Sequence, residues 1–236
     1  EAFMDCSSLD EVIIPRCVAA IEESAFKCCS SLRSITIPDT VETIGAGAFF
    51  DCSDLKEIDI PEGVTTIGAG AFCLCSSLTT INFPSSIKVI EKYAFQKCAI
   101  EELVIPDGVI TLNEEVFWGC EKLSKVMLPA SLTEIKESAF NCIGYEAHSE
   151  VFIDPQNPKY ATKQGMVLSK DGSFLYYAPY ARGDVEIPEG VKTIGEGAFL
   201  GCSGLTGVYI PESVIEIQKN AFSRCSSLTS VTIPAG

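Results

Sequence analysis

The sequence is poor in the residues on which most enzyme and metal sites depend. It contains one histidine, His148, one tryptophan and no C-x-x-C pair among its 236 residues. A zinc site with mixed ligands or a cysteine nucleophile needs a histidine beside its cysteines, and Cys142 is the cysteine that stands near His148 in the sequence. We predict no catalytic residue, no metal site and no cofactor, and keep a hydrolase that uses His148 as a third alternative.

Positive charge and long apolar runs are also scarce. Lysine and arginine number 17 against 32 aspartates and glutamates, which gives a formal net charge of −15. Such a chain is repelled by the phosphates of nucleic acids and by anionic membrane surfaces. No run approaches the roughly 18 apolar residues that a membrane-spanning helix needs. The composition therefore predicts neither a nucleic-acid partner nor direct membrane insertion.

What the sequence does have is one repeated unit. A unit of 23 residues runs from Leu32 to Asp54 as LRSITIPDTVETIGAGAFFDCSD, and it restarts at Leu55 and again at Leu78. A single unit has too few apolar side chains to offset the entropy of ordering its backbone, so neighbouring units must cover each other. The period therefore predicts a solenoid, a stack of similar coils.

Within a unit, the apolar residues predict a strand followed by turns. Leu32, Ile35 and Ile37 have the spacing of a short strand with inward side chains, and Pro38 ends it. The segment that ends in Phe49 is too short for a stable helix, so we expect a single helical or 3₁₀ turn there. Stacked strands should form a parallel sheet on the concave side of an arc.

Cysteine is abundant, and most of it falls at one repeat position. Nine of the 12 cysteines share this position: Cys6, Cys29, Cys52, Cys75, Cys98, Cys120, Cys142, Cys202 and Cys225. A cysteine at a core position behaves as a small buried hydrophobe, so we interpret the series as a ladder of reduced thiols. Coil spacing alone would also permit a bridge between neighbours. Cys17, Cys28 and Cys73 lie off the ladder and are predicted to be more reactive.

The period breaks between Pro129 and Pro188, which are 59 residues apart. The segments 166–169 and 173–177 there have the form of a β-hairpin around an Asp-Gly turn. Tyrosines cluster in the same stretch, with His148 nearby: Tyr145, Tyr160, Tyr176, Tyr177 and Tyr180. Exposed tyrosines favour contacts with sugars or proteins. The alternative is that they pack the hairpin against the solenoid.

The repeat pattern L-x-x-I-x-I-P-x-x-V-x-x-I-G-x-x-A-F-x-x-C resembles that of the BspA-like leucine-rich repeat family. The resemblance covers nearly the whole chain, and the N-P-x-Y and S-K-D-G segments of the interruption are also similar to family segments. The place that holds asparagine in commoner leucine-rich repeats is occupied here by Thr40, Gly63, Ser86, Gly108, Gly190 or Ser213. The resemblance implies a secreted or surface-anchored bacterial or protozoan protein with no shared catalytic residues.

The predicted fold is a leucine-rich-repeat solenoid, a curved right-handed coil. We expect a parallel β-sheet on its concave face, short turns or 3₁₀ segments on its convex face, and one β-hairpin interruption. The whole chain, 1–236, should be a single domain with regular repeats over 1–141 and 183–236 and irregular coils with the hairpin over 142–182. Since units are incomplete at both ends, we expect a longer protein whose signal peptide and anchor lie outside this chain.

The outward positions of the strands are the candidates for binding. Their middle row varies from coil to coil, which suits a recognition surface but is equally tolerated on a structural one. Val104 and Met127 form its most apolar part, next to the hairpin. The predicted ligand-contact residues are Val104, Met127, Tyr160, Tyr176, Tyr177, Tyr180, Glu186 and Tyr209.

The leading functional hypothesis is a non-enzymatic recognition or adhesion module, secreted or at the cell surface. It would bind a protein or glycan, with host extracellular matrix as one source, through the concave sheet and the hairpin region. We expect it to act as a monomer. The alternative is a structural spacer that displays other domains of a longer surface protein.

Overall fold

The computed structural model describes residues 1–136, 139–140 and 150–233, and these contain β-strands and turns but no helix. Cys142, Tyr145 and His148 lie outside the described residues. In chain order the strands are β1 (Glu11–Ile13), β2 (Ala20–Ile21), β3 (Ser34–Thr36), β4 (Thr43–Ile44), β5 (Glu57–Asp59), β6 (Thr66–Ile67), β7 (Thr80–Asn82), β8 (Val89–Ile90), β9 (Glu102–Val104), β10 (Thr111–Leu112), β11 (Lys125–Leu128), β12 (Glu134–Ile135), β13 (Glu150–Ile153), β14 (Tyr160–Lys163), β15 (Met166–Ser169), β16 (Phe174–Tyr177), β17 (Gly183–Glu186), β18 (Thr193–Ile194), β19 (Leu205–Tyr209), β20 (Glu216–Ile217) and β21 (Ser230–Thr232).

The chain forms a solenoid of about nine coils, as the period predicted. One strand per coil belongs to a first row, in which parallel pairs join β1 to β3, β5 to β7, β9 to β11 and β13, and β17 to β19 and β21. The pairing follows the sequence period, since Ile58 of β5 lies opposite Ile81 of β7. In β5 the central Ile58 is buried while Glu57 and Asp59 are exposed. This alternation places one wall of the core under the row and polar side chains above it.

A second row of two-residue strands was not predicted. It contains the parallel series β2, β4, β6 and β8, the pair β10 and β12, and the pair β18 and β20. The ladder continues beyond the strand ends, because the N–H of Glu42 donates to Ala19 O (2.9 Å) and that of Gly45 to Ile21 O (2.7 Å). The sequence pattern does not reveal this row because at most one residue in each short strand, such as Ile44, is buried.

The segment that precedes each ladder cysteine is a turn, and the helical or 3₁₀ alternative is wrong for the described coils. Two N–H groups bond within the turn, Ala48 to Gly45 O (3.2 Å) and Phe50 to Gly47 O (3.0 Å). The N–H of the intervening Phe49 points along the solenoid axis and donates to Ala71 O of the next coil (2.8 Å). A 3₁₀ helix would retain every N–H in its own i→i+3 bonds, so stacking and helix formation compete for the same donors.

The core is a stack of equivalent side chains. The rings of Phe49 and Phe72 lie 5.3 Å apart between centroids, those of Phe72 and Phe95 5.7 Å apart, and each pair is parallel within 7°. The thiol of Cys75 donates to Phe49 O at 3.1 Å, and that of Cys98 to Phe72 O at 3.0 Å. Each thiol therefore bonds to the carbonyl of the phenylalanine one coil earlier.

The predicted ladder of reduced, buried cysteines is confirmed for the central coils and is less buried in the first and last coils. The cysteines of the ladder that are buried and unbridged are Cys29, Cys52, Cys75, Cys98, Cys120 and Cys202. Cys225 is half-buried, and Cys6 is exposed. Cys73, predicted to be more reactive than the ladder cysteines, is also buried, and burial raises its pKa to about 11.

The interruption forms a three-stranded antiparallel unit. β14 pairs with β15, β15 with β16, and β16 then runs parallel to β18, so this unit continues the second row. In the turn between β15 and β16, Asp171 accepts hydrogen bonds from the hydroxyl groups of Ser169 (2.6 Å) and Ser173 (2.8 Å). These bonds lower the pKa of Asp171 to about 2. The sequence pattern indicated β15 and β16 but not β14.

A buried asparagine holds this unit on the preceding coil. The side-chain amide of Asn157 donates to Pro129 O (3.0 Å) and Leu132 O (2.8 Å), and its oxygen accepts from the N–H groups of Lys159 (2.9 Å) and Tyr160 (2.8 Å). Asn157 is fully buried. The chain forms no strand at Asn157. Its side chain therefore makes the hydrogen bonds that the backbone of a neighbouring strand would otherwise make with these groups.

Candidate binding surface

Three large apolar side chains stand next to one another on the outer side of the first row. Val104 of β9, Met127 of β11 and Phe152 of β13 are 60%, 42% and 41% exposed. Met127 lies in register between the other two. Since neighbouring strands are about 4.8 Å apart, the three side chains form one continuous apolar row. We call Val104, Met127 and Phe152 the apolar row.

Phe152 is not among the predicted contact residues. The apolar run 151–153 has the composition of a core strand, but Val151 and Ile153 are buried and Phe152 between them is exposed. The signal was present in the alternation, because Val126, Met127 and Leu128 show the same order of buried, exposed and buried side chains. The 26-residue step from Pro129 to Pro155 concealed the equivalence.

The apolar row forms the floor of an open groove of about 630 Å³. Its lining residues are Val104, Ile105, Pro106, Asp107, Lys125, Met127, Leu128, Pro129, Phe152, Ile153, Asp154 and Pro155. A second groove of about 820 Å³ adjoins it and shares Val104, Pro106 and Asp107. Polar residues line much of this second groove, including Thr80, Asn82 and Glu102. One continuous surface therefore changes from apolar to polar along the solenoid.

One cation lies beside the apolar row. The ammonium group of Lys125 is 3.6 Å from a carboxylate oxygen of Glu102 and 5.9 Å from the centroid of the Phe152 ring. Both members of the ion pair are substantially exposed to solvent, so we attribute little folding free energy to it. The lysine side chain thus lies between Glu102 and the Phe152 ring.

The prediction that Tyr160 and Tyr177 contact a ligand is wrong, because both side chains are buried. Tyr160 is 1% exposed and its hydroxyl group donates to Thr133 O (3.3 Å). The Tyr177 hydroxyl lies 3.2 Å from Ile135 O and 3.1 Å from Lys136 O. These hydroxyl groups satisfy carbonyls at the edge of β12, where the second row is interrupted. Both residues instead fit the alternative prediction, in which the tyrosines pack the hairpin against the solenoid.

Tyr176 and Tyr180 are half-buried and lie against the same core. The Tyr176 ring contacts that of Tyr160 edge to face, with 5.0 Å between centroids. Burial raises the pKa of Tyr180, whose hydroxyl has no partner among the described residues. Neither residue offers a free aromatic face comparable with that of Phe152.

Glu186 and Tyr209 belong to a separate patch. They lie opposite each other in β17 and β19, and Tyr209 is 45% exposed. Together with Asp184, Ser230 and Thr232 they line an open depression of about 340 Å³. Within the described residues β17 pairs with β19 but not with β13. Of the predicted contact residues, the four exposed ones thus lie in two separate sheets of the first row.

The described residues offer little for catalysis. They contain no group of three or more histidine, cysteine, aspartate and glutamate side chains that could hold a metal ion. Burial raises the pKa of the Cys52 and Cys120 thiols to about 12, so both remain protonated and weakly nucleophilic at neutral pH. No helix in this part of the chain has the length and apolar character needed to cross a bilayer.

Comparison with known proteins agrees with the repeat geometry. A family model described as BspA type leucine-rich repeat region matches residues 1–120, 88–149 and 172–236, in six copies. The chain belongs to the BspA-type leucine-rich repeat family. The resemblance inferred from the sequence is therefore confirmed. No curated protein sequence matches this BspA-type chain significantly.

Solved structures show the same solenoid. A leucine-rich cell surface protein from Faecalibacterium prausnitzii is 30% identical, with a TM-score of 0.68 over 98% of this chain and 56% of its own. The pneumococcal vaccine antigen PcpA is 22% identical, with a TM-score of 0.59 over 95% of this chain and 51% of its own. A leucine-rich repeat protein from Eubacterium ventriosum is 19% identical, with a TM-score of 0.67 over 95% of this chain and 78% of its own. The BspA-type chain thus spans about half the length of the first two proteins.

Proposed function

We propose that this BspA-type chain is a non-catalytic recognition module of a cell-surface or secreted protein. In this proposal it binds a protein or glycan partner through the outer side of the first row, on the concave side of the arc. The observation that carries the proposal is the apolar row, because Val104, Met127 and Phe152 are exposed in register on adjacent strands. A contiguous exposed apolar patch with polar surroundings is typical of an interaction site.

The apolar row is not needed to hold the strands together. The inward neighbours Leu103 and Val126 and the buried Val151 already supply the core contacts of β9, β11 and β13. Equivalent outer positions in β3, β5 and β7 hold the exposed polar residues Thr36, Asp59 and Asn82. The fold therefore accepts polar side chains at this position, and folding alone gives no reason for apolar ones.

Family membership supports the proposed cell-surface location and the proposed lack of catalytic activity. The 30% identical relative is a leucine-rich cell surface protein, and leucine-rich repeat solenoids typically bind other molecules without transforming them. Ladder thiols with raised pKa values are poor nucleophiles. A monomer with its partner on the first row is the simplest assembly consistent with this proposal.

The test is binding of the purified chain to arrays of glycans and extracellular-matrix proteins. One variant carries Met127→Ser and Phe152→Ser. The matched control is Ile13→Ser, which removes an apolar side chain 73% exposed at the equivalent position of β1. Loss of a hit in the double variant, with retention in the control, supports the proposal.

Two results would count against it. Hits that survive the double variant would place the site elsewhere, and the patch of Glu186 and Tyr209 would be tested next. Absence of any hit would favour the spacer alternative, in which the solenoid only displays other domains. Circular dichroism and the unfolding midpoint of each variant must match the parent, since a misfolded variant would also lose binding.

A further inference from the structure

The groove above the apolar row has an acidic rim. Asp107 and Asp154 follow β9 and β13 in the chain, and both line this groove. Glu101 and Glu102 line the adjoining groove, which Asp107 also borders. Neither Asp107 nor Asp154 takes part in the ion pairs between described residues, which are Lys125 with Glu102 and Lys136 with Glu134. The carboxylates of Asp107 and Asp154 can thus pair with a cationic ligand, although one oxygen of Asp154 already accepts from Gln156 N (2.7 Å).

Lys125 is the one basic residue among those that line the two grooves, while the ammonium group of Lys170 donates to Pro155 O (2.8 Å) at the edge. Four carboxylates line the two grooves together, against the single ammonium group of Lys125. That ammonium group lies against Glu102 at 3.6 Å. The chain as a whole also carries 32 acidic against 17 basic residues. Local and overall charge therefore attract cationic partners and repel anionic ones.

The floor of the groove discriminates between classes of ligand. Nine of its 12 lining residues are apolar, and the polar ones, Asp107, Lys125 and Asp154, belong to its rim. A sugar carries hydroxyl groups around its ring, and those pressed on this floor would lose water without gaining a partner. An aliphatic or aromatic side chain loses nothing in the same position. The chemistry of the floor favours an amino-acid side chain over a sugar ring.

From these observations we infer that the groove binds a segment of a protein partner that presents an apolar side chain flanked by lysine or arginine. The apolar side chain lies on Val104, Met127 and Phe152, and the basic groups pair with Asp107 and Asp154. This inference rests on the proposed recognition function and specifies its partner class. Ion pairs at the exposed rim determine the position of the segment along the groove and increase the association rate. Contact with the apolar floor contributes most of the affinity.

The test uses a displayed library of random peptides of about 12 residues, selected on the purified chain and depleted on the Met127→Ser, Phe152→Ser variant. We expect the enriched peptides to combine an aromatic or aliphatic residue with neighbouring lysine or arginine. A fluorescein-labelled peptide from this set should bind about three- to tenfold more weakly to the chain carrying Asp107→Asn and Asp154→Asn. Asparagine at 154 preserves the oxygen that accepts from Gln156 N at 2.7 Å.

Lys125→Gln is the matched charge control. Because it removes the basic residue of the groove lining and leaves Glu102 without its ion pair, it should raise the affinity for the basic peptide. Raising the ionic strength should weaken binding to the parent more than binding to the chain with Asp107→Asn and Asp154→Asn, since exposed charge pairs are screened by salt.

The outcomes separate this inference from the proposed function. Enriched peptides without a basic excess, no enrichment at all, or an affinity insensitive to the two aspartate substitutions would overturn the inference. A glycan whose binding is lost with Met127→Ser and Phe152→Ser would overturn it too, yet would support the recognition function. Peptides that bind the Met127→Ser, Phe152→Ser variant as well as the parent would count against both.

Discussion

The regular coils and the inserted unit of β14 to β16 solve the same stacking problem by different means. In the regular coils each contact recurs one coil later, as with the Phe49, Phe72 and Phe95 rings. In the inserted unit individual side chains such as Asn157 and Tyr177 make bonds that occur once. Repetition distributes stability over many equivalent contacts, whereas the insertion concentrates it in a few polar side chains.

The largest effect is expected in the regular coils. Phe72→Ala removes a fully buried ring from the middle of the aromatic stack and leaves a cavity between two rings. We expect a loss of about 3 to 5 kcal/mol in the free energy of unfolding, measured with urea. The control is Phe50→Ala in the preceding coil, a half-buried ring under Lys27, for which we expect about 1 kcal/mol. Equal losses would contradict the placement of the stack.

The inserted unit should be nearly as sensitive at a single polar residue. Asn157→Ala leaves two buried carbonyls and two N–H groups without their partner, so we expect a loss of about 3 kcal/mol. Gln156→Ala, at the exposed neighbouring position, is the control and should change stability by less than about 0.5 kcal/mol. If both variants unfold at the parent's urea midpoint, the insertion does not depend on this side chain.

The cysteine ladder predicts a loss of stability at alkaline pH. Burial raises the pKa of Cys52 from 9.0 to about 12. The unfolded thiol ionises first, so its contribution to stability is complete below pH 9 and is lost as the pH rises towards 12. Between pH 8 and 10 the parent should lose about 1.4 kcal/mol more than Cys52→Ala. Cys17→Ala, which removes an exposed thiol, should follow the parent, and equal slopes in all three proteins would refute the assignment.

The smallest effect concerns the edge of β12. Tyr177→Phe keeps the ring and removes the hydroxyl that reaches Ile135 O and Lys136 O. We expect a loss of about 1 kcal/mol, detectable as a lower thermal midpoint. Tyr176→Phe in the same strand is the control, because no bond of its hydroxyl occurs among the described residues. A larger loss in the control would reverse our view of which tyrosine anchors the insertion.

The regular part of the fold was predictable because its information is repeated. The phase of Pro38 and Pro61, together with that of Phe49 and Cys52, indicated the stack, the buried strand positions and the thiol ladder. The second row escaped prediction because two residues are too few to show an alternation, and neighbouring coils determine their extended conformation. The turns were not predicted correctly for a related reason. Whether an N–H group bonds within its own turn or to the next coil depends on the position of that next coil.

Prediction of the candidate site was less complete because the insertion has no second copy to compare with. Val104 and Met127 were identified from the phase of their strands and are exposed. Phe152 was hidden by the change in spacing, and the tyrosines were judged by residue type alone. Whether a tyrosine of an irregular coil faces solvent or a carbonyl depends on where that coil crosses its neighbour, which no local pattern specifies.

The axial hydrogen bonds of the turns also bear on how the molecule responds to mechanical load. Bonds such as Phe49 N to Ala71 O join neighbouring coils and run along the solenoid axis. A pull on a terminal coil therefore acts on the bonds of that coil alone, and coils should detach one after another. The solenoid should behave as an extensible element that yields in steps of one coil, while coils still stacked keep their surface intact.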